Sequence, residues 1–88
     1  MDADSYENLR WAALDGDEDA LKKWIPLVMK KAEEGDPYAQ SDLGHAYCFG
    51  EGVEKDNKKA VYWFRKAADN PNNFSDYPEE MLEALEDL

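Results

Sequence analysis

Residues 47–68 read YCFGEGVEKDNKKAVYWFRKAA, and the first part of this stretch interrupts a chain that is otherwise rich in helix-forming residues. Gly50 and Gly52 stand two apart and are followed by Val53, after which a helical pattern resumes. A glycine inside a helix is destabilising by about 1 kcal/mol relative to alanine. The pair therefore predicts a turn between two antiparallel helices, in which the backbone takes positive φ. Val53 is expected to plug the open end of that hairpin.

Apolar residues recur with helical spacing in five segments, and no segment shows sustained alternation of apolar and polar residues. The predicted helices lie at about residues 5–14, 17–34, 37–49, 57–69 and from 78 onward. Asp17, Asp36 and Asp56 stand at the starts of three of them, where a carboxylate can accept backbone N–H groups. Pro26 falls inside the second helix and predicts a kink there, because proline cannot donate a backbone hydrogen bond.

The ends of the second and fourth helices are similar to each other at a spacing of about 36 residues, which is typical of stacked helical hairpins. Residues 39–68 resemble one unit of the Sel1-like repeats, which are relatives of the tetratricopeptide repeats. The matching residues are Ala39, Leu43, Gly44, Tyr47, Gly50, Gly52, Val53, Asp56, Lys59, Ala60, Trp63, Phe64, Lys66, Ala67 and Ala68. The resemblance implies an all-α fold of antiparallel helical hairpins, which form a short solenoid with a C-terminal capping helix.

The domain organisation follows from the length of the chain and from this resemblance. The 88 residues are predicted to form a single domain, 1–88. Residues 5–38 are interpreted as a degenerate first unit, 39–71 as the Sel1-like unit and 72–88 as an acidic capping helix. The array is expected to stop there, because Glu79 and Glu80 stand where a further unit would need Leu-Gly.

Structural roles are predicted for most of the matched positions. Gly44 is expected to permit close approach of a neighbouring helix, and Trp63 and Phe64 are expected to close the core. The residues interpreted as structural are Leu43, Gly44, Tyr47, Gly50, Gly52, Val53, Asp56, Ala60, Trp63, Phe64 and Ala67.

The chain is strongly acidic, with 21 acids against 10 bases and a net charge of −11. Such a polyanion is repelled by nucleic acids and anionic membranes and is attracted to basic proteins. Alternatively, the charge serves only solubility.

Cys48 is the single cysteine, so no intramolecular disulfide can form, which favours a reducing cytoplasm. The N-terminal residues MDADSYEN lack the features of a secretory signal, and the protein is predicted to be cytoplasmic.

No pattern of reactive residues predicts catalysis, a metal site or a cofactor. His45 and Cys48 have helical spacing and could share one face. Zinc needs three or four ligands, however, and because the chain has no other histidine or cysteine, the remaining ligands would have to be carboxylates. The acids at 15–19 resemble the start of a calcium loop, yet Ala20 and Pro26 stand where an EF-hand has glycine and glutamate. The protein is therefore predicted not to be an enzyme.

A protein-binding surface is predicted on the inner face of the array. The resemblance implies that the first helix of each pair lines this face, which places Tyr38, Ser41, His45, Cys48 and Phe49 on it. The weaker first unit would add Asp4 and residues of the first helix. The predicted partner-binding residues are Glu7, Trp11, Asp15, Tyr38, Ser41, Asp42, His45, Phe49, Glu79, Glu80 and Glu83. The alternative is that the aromatic residues pack under the fifth helix and leave only a solvated acidic face.

The function predicted from these features is a non-enzymatic module that binds a basic protein. Because the chain has room for barely two units, the favoured role is that of a small acidic inhibitor, an immunity protein or antitoxin against a basic toxin. A general Sel1-like adaptor for complex assembly is one alternative. A phage-encoded, anti-CRISPR-like inhibitor is another, in which acids imitate the phosphates bound by a nucleic-acid-binding protein. Direct binding of nucleic acid or membrane is not expected.

Overall fold

The structure is a computed structural model that describes residues 10–13 and 15–86. Residues 10–13 are helical (α1), and four further helices follow. These are α2 (Glu18–Glu33), α3 (Pro37–Phe49), α4 (Asn57–Asp69) and α5 (Tyr77–Glu86). Within the described residues there is no β-strand, and the all-α prediction is confirmed. The remainder of the predicted first helix, and the predicted apolar residue Leu88, lie outside the described residues.

An aspartate precedes each of α2, α3 and α4 and accepts hydrogen bonds from the first turn. Asp17 accepts one backbone N–H at 3.1 Å. Asp36 accepts two at 2.9 and 3.1 Å, and Asp56 accepts two at 3.0 and 3.1 Å. Each cap contributes about 1 kcal/mol by satisfying donors that the helix itself leaves unpaired. These three residues therefore set where the helices begin.

Pro26 lies inside α2, and the helix is continuous on both sides of it. The apolar residues around it keep one helical phase, so that Trp24, Ile25 and Val28 are all buried while Pro26 is exposed. Burial of this stripe stabilises the helix enough to tolerate the missing backbone donor.

The core lies where α3 packs against both α2 and α4, and α5 in turn packs against α4. Leu43 of α3, Val28 of α2 and Phe64 of α4 are fully buried. Trp63 is only partly buried at the edge of this core. Of the adjacent aromatic residues on α4, Phe64 therefore fills the interior and Trp63 covers it. The apolar side of α5 also packs against the core, through Tyr77, Met81, Leu82 and Leu85.

Gly44 of α3 faces Phe64 of α4. A Cβ atom at this position would stand 2.9 Å from both Cγ and Cδ1 of Phe64. Because real Cβ atoms do not approach other heavy atoms so closely, the aromatic ring occupies the space that any other residue would need.

The loop between α3 and α4 has positive φ at Gly50 (69°) and Gly52 (74°). Gly50 ends α3 and donates its backbone N–H to the carbonyl of Ala46. Gly52 serves a second purpose, because a Cβ atom there would stand 2.7 Å from Cγ1 of Ile25 on α2. Val53 is half-buried against the core. The loop thus turns the chain and also packs against the preceding hairpin.

None of the helices in the described ranges has the length and apolar character that a bilayer span needs.

Candidate protein-binding groove

A groove with a volume of about 810 Å³ opens between α1, the exposed side of α3 and the start of α5. Its lining residues are Arg10, Trp11, Trp24, Lys31, Asp36, Tyr38, Ser41, Asp42, His45, Ser75 and Tyr77.

The floor of the groove is one stripe of α3. Tyr38, Asp42, His45 and Phe49 are separated by intervals of four, three and four residues, which places them on the same side of the helix. At a rise of 1.5 Å per residue the stripe is about 16 Å long. Phe49 does not line the groove itself, but its ring lies 4.6 Å from the ring of His45 and extends the stripe.

The aromatic side chains of this surface are exposed to solvent. Trp11 is 63% exposed, Tyr38 53% and Phe49 57%. The helix α5 packs on α4, and only Ser75 and Tyr77 near its start reach the groove. The alternative in which α5 covers these aromatic residues is therefore wrong. The fifth helix borders the groove.

Asp42 forms an ion pair across the groove with Arg10. Nε of Arg10 lies 3.0 Å from Oδ2 of Asp42, and Nη2 lies 3.4 Å from Oδ1. The two side chains are 35% and 17% exposed. Asp42 was expected to present its charge to a partner. In the structure it fixes α1 against α3, and Arg10 and Lys31 bring positive charge into the lining.

His45 joins three parts of the chain. Its Nδ1 lies 2.7 Å from the hydroxyl of Tyr77, and its Nε2 lies 2.9 Å from Oε1 of Glu51. In the neutral imidazole, Nε2–H donates to the carboxylate and the tyrosine hydroxyl donates to Nδ1. This arrangement holds the start of α5 and the Gly50–Gly52 loop against α3, so His45 has a positioning role at the end of the groove.

Cys48 was expected on the inner face but is buried in the core. It lies three residues after His45, and its side chain points away from the groove because α3 turns its small and apolar residues toward α2 and α4. Burial raises the pKa of the Cys48 thiol, an effect that the nearby Lys55 partly opposes. Within the described ranges, no three His, Cys, Asp or Glu side chains are arranged to hold a metal ion.

The pKa of Tyr77 is raised, first by burial and then by the negative charges of Cys48, Asp42 and Glu51. A raised pKa means that the folded protein keeps the phenol protonated while the unfolded chain ionises. The resulting stability is fully present below the ordinary tyrosine pKa of about 10. It is lost as the pH rises through the higher pKa that Tyr77 has in the folded protein.

We therefore expect the urea concentration at half-unfolding of the parent protein to fall as the pH rises above about 10. The same concentration should fall less for Tyr77→Phe over this pH range. The variant starts from a lower stability, because it lacks the hydrogen bond to His45. Tyr62→Phe, which alters an exposed ring, is the matched control and should follow the parent. Parallel curves for the parent and Tyr77→Phe would show that Tyr77 does not contribute to the alkaline loss.

The remaining predicted partner-binding residues that the structure describes do not line the groove. Asp15 is exposed and does not line it, and neither do Glu79, Glu80 and Glu83 on the exposed side of α5. Glu7 lies outside the described residues, as does Asp4. The groove thus brings together Trp11, Tyr38, Ser41, Asp42 and His45.

Sequence reasoning missed Arg10, Lys31 and Tyr77 among the lining residues. Arg10 was the one with an available signal, because it is the only base before Lys22 in a run of acids. Tyr77 had none, since its contacts with His45 depend on how α5 folds back over α4.

Comparison with protein families identifies the central part of the chain. The model of the Sel1 repeat matches residues 37–72, which span α3, the glycine loop and α4. These residues are similar to one unit of the Sel1 repeat. Sel1 repeats are protein–protein interaction modules and are typically non-catalytic. No curated protein and no solved structure matches the chain. The resemblance inferred from the glycine loop and its flanking helices is confirmed, and the degenerate unit at 5–38 stays a prediction.

Proposed function

We propose that this chain is a non-enzymatic protein-binding module whose groove holds a segment of a basic partner protein. The observation that supports this proposal is the exposure of Trp11 and Tyr38 along a groove on the Sel1 repeat. Large aromatic side chains supply much of the binding energy at protein interfaces, because they bury a large area with little loss of side-chain freedom.

The dimensions of the groove suit a short segment. The α3 stripe that begins in the groove at Tyr38 and continues beyond it to Phe49 is about 16 Å long, which corresponds to about five residues of extended chain at 3.3 Å per residue. Trp11 on α1 and Tyr38 on α3 both line the groove. A partner side chain that packs on either ring would be partly removed from water, and each ring would then contribute about 2 kcal/mol as an anchor.

The preference for a basic partner rests on charge outside the groove. The net charge is −11, and Glu79, Glu80, Glu83 and Glu86 are exposed on α5, which has no base. Because Asp42 is paired with Arg10 and Asp36 caps α3, the carboxylates of the groove already have partners within the chain. In this proposal the aromatic groove supplies affinity, and the surrounding acids speed association by electrostatic steering.

The role that we propose for this binding is inhibition. A small acidic immunity protein or antitoxin would cover a basic surface that a toxin needs for its activity. A phage inhibitor of a nucleic-acid-binding protein is a variant of the same idea, with carboxylates in the place of phosphates. A toxin gene beside this one supports the first, whereas prophage neighbours support the second.

A second candidate is a general adaptor for complex assembly. The presence of Arg10 and Lys31 beside Asp36 and Asp42 in the groove favours it, because a lining with both signs of charge suits partners of mixed composition. Under this candidate the captured proteins would be acidic as often as basic.

The proposal is tested by capture from an extract of the protein's own host, followed by mass spectrometry. Immobilised parent protein is compared with Tyr38→Ala, and Tyr62→Ala serves as control because both tyrosines are 53% exposed and only Tyr38 lines the groove. We expect proteins that the parent and Tyr62→Ala retain and Tyr38→Ala loses, and we expect them to be basic. If Tyr38→Ala and Tyr62→Ala retain the same proteins, the groove is not the binding site.

Charge reversal on α5 should slow association with the captured partner. Replacing Glu79, Glu80 and Glu83 by lysine adds two positive charges at each position, so the net charge changes from −11 to −5. The association rate at low salt should fall by roughly tenfold or more, with a smaller change in the dissociation rate. Replacement of the same residues by glutamine is the graded control and should give an intermediate rate. Equal rates in stopped-flow measurements on all three proteins would contradict electrostatic steering.

A further inference from the structure

A second exposed surface lies on α4, away from the groove. Lys58, Val61, Tyr62, Arg65 and Lys66 recur at intervals of three and four residues and so share one side of the helix. We refer to these five residues as the α4 ridge. They line a depression of about 650 Å³ together with Gln40, Asp69, Asn70 and Pro71, and none of them lines the groove.

The α4 ridge is basic although the molecule is acidic. The helix α4 contains the bases Lys58, Lys59, Arg65 and Lys66 and a single acid, Asp69. The whole chain, in contrast, has 21 acids and 10 bases. A segment that contacts α4 therefore meets mainly positively charged groups, whereas the charged groups of α5 are all carboxylates.

The ridge also offers an apolar surface beside its charges. Tyr62 is 53% exposed, and its ring packs edge-on against Trp63 with 5.1 Å between centroids. The ammonium of Lys66 lies 5.6 Å from the centroid of Tyr62 and 5.8 Å from that of Trp63. This cation–π contact holds the positive charge next to the exposed ring. A ligand that suits both the ammonium and the exposed ring would combine a carboxylate with an apolar side chain.

One contact within the molecule shows how a carboxylate on a neighbouring helix meets the ridge. Glu86 of α5 lies 3.3 Å from Nη2 of Arg65, with both side chains about 60% exposed. A helix packed against α4 can thus place an acid on one base of the ridge while the remaining bases face solvent.

We infer that the α4 ridge binds an acidic amphipathic helix of a second protein. An apolar side chain of that helix would pack on Val61 and Tyr62, and its flanking carboxylates would meet Lys58 and Lys66, since Arg65 is already paired with Glu86. Net repulsion from the charge of −11 disfavours long polyanions such as nucleic acids. A second copy of this chain fits poorly, because the apolar residues of its acidic helix, Met81, Leu82 and Leu85, pack against its own core. The protein would then join a basic partner in the groove to an acidic partner on the ridge.

The test uses a designed helical peptide with one leucine flanked by glutamates at intervals of three and four residues. Binding to ¹⁵N-labelled protein is followed by amide shifts in NMR spectra and by fluorescence anisotropy. The control peptide has glutamine in place of each glutamate. We expect the acidic peptide to shift the amides of α4 and the glutamine peptide to bind at least tenfold more weakly. Tyr62→Ala should weaken binding of the acidic peptide at least tenfold, and Tyr38→Ala should change it less than twofold.

Several results would overturn the inference. Absence of amide shifts at millimolar peptide would do so, as would shifts confined to the groove or equal binding of the two peptides. Displacement of the peptide by micromolar duplex DNA would assign the ridge to nucleic acid instead. A salt-sensitive dimer in sedimentation experiments, lost in Tyr62→Ala, would assign it to a second copy. Because Tyr38→Ala reports on the groove alone, failure here leaves the proposed function to be decided by its own experiment.

Discussion

Replacing Gly44 with leucine is expected to destabilise the protein by about 3 kcal/mol or more, an overpacking effect at the upper end of the usual range. The first atom of any side chain there would lie 2.9 Å from the ring of Phe64, which is fully buried. The higher helix propensity of leucine offsets only about 1 kcal/mol of this strain. Since small domains are stable by about 5–15 kcal/mol, the loss should be plain in urea unfolding of the parent and the variant.

A double-mutant cycle shows whether the strain comes from Phe64. Gly44→Ala and Phe64→Leu are each expected to destabilise the protein, since one adds an atom against the ring and the other leaves a gap in the core. The destabilisation of the double variant should be about 1 kcal/mol smaller than the sum of the two single destabilisations. Strict additivity would show that Gly44 and Phe64 are not coupled through a shared contact between α3 and α4.

The second large effect is expected in binding. Replacing both Trp11 and Tyr38 by alanine should weaken the complex with the captured partner by roughly 100- to 1,000-fold, if each ring anchors the partner with about 2 kcal/mol. Most of the change should lie in the dissociation rate. The fold should persist, because both rings are more than half exposed and exposed substitutions usually change stability by about 0.5 kcal/mol or less. Surface plasmon resonance measures both rates, with Tyr62→Ala as control and circular dichroism as the check on folding.

Retention of parental affinity in the double variant would contradict the role of these rings. A loss confined to the association rate would also contradict it, since that result assigns the partner to the charged surface and not to the groove.

The positions of the helices could be predicted from the sequence because their signals are local. Asp36 followed by Pro37 marks the start of α3 through the hydrogen bonds and φ angle of those residues alone. Gly50 and Gly52 likewise mark the turn by a conformation that other residues rarely adopt. The continuation of α2 through Pro26 could be predicted as well, because the apolar stripe keeps one helical phase on both sides of the proline.

The contacts that shape the groove could not be predicted in the same way. The pairs Arg10–Asp42 and His45–Tyr77 are each 32 residues apart in sequence, and they form only because tertiary packing brings their helices together. The sequence placed Asp42 on the groove but could not show that a base lies opposite. Cys48 illustrates a smaller error, since a rotation of a few tens of degrees about α3 decides whether a residue faces the groove or the core.

The most direct test of the central claim is to map the captured partner on ¹⁵N-labelled protein by NMR. If the groove holds a segment of a basic protein, the shifted amides should be those of residues 10–13, 38–49 and 75–77, while the amides of the α4 ridge stay in place. The shifts should decrease when Tyr38 is replaced by alanine and when salt is added. Shifts confined to other surfaces, or a bound partner that is acidic and indifferent to salt, would contradict the account.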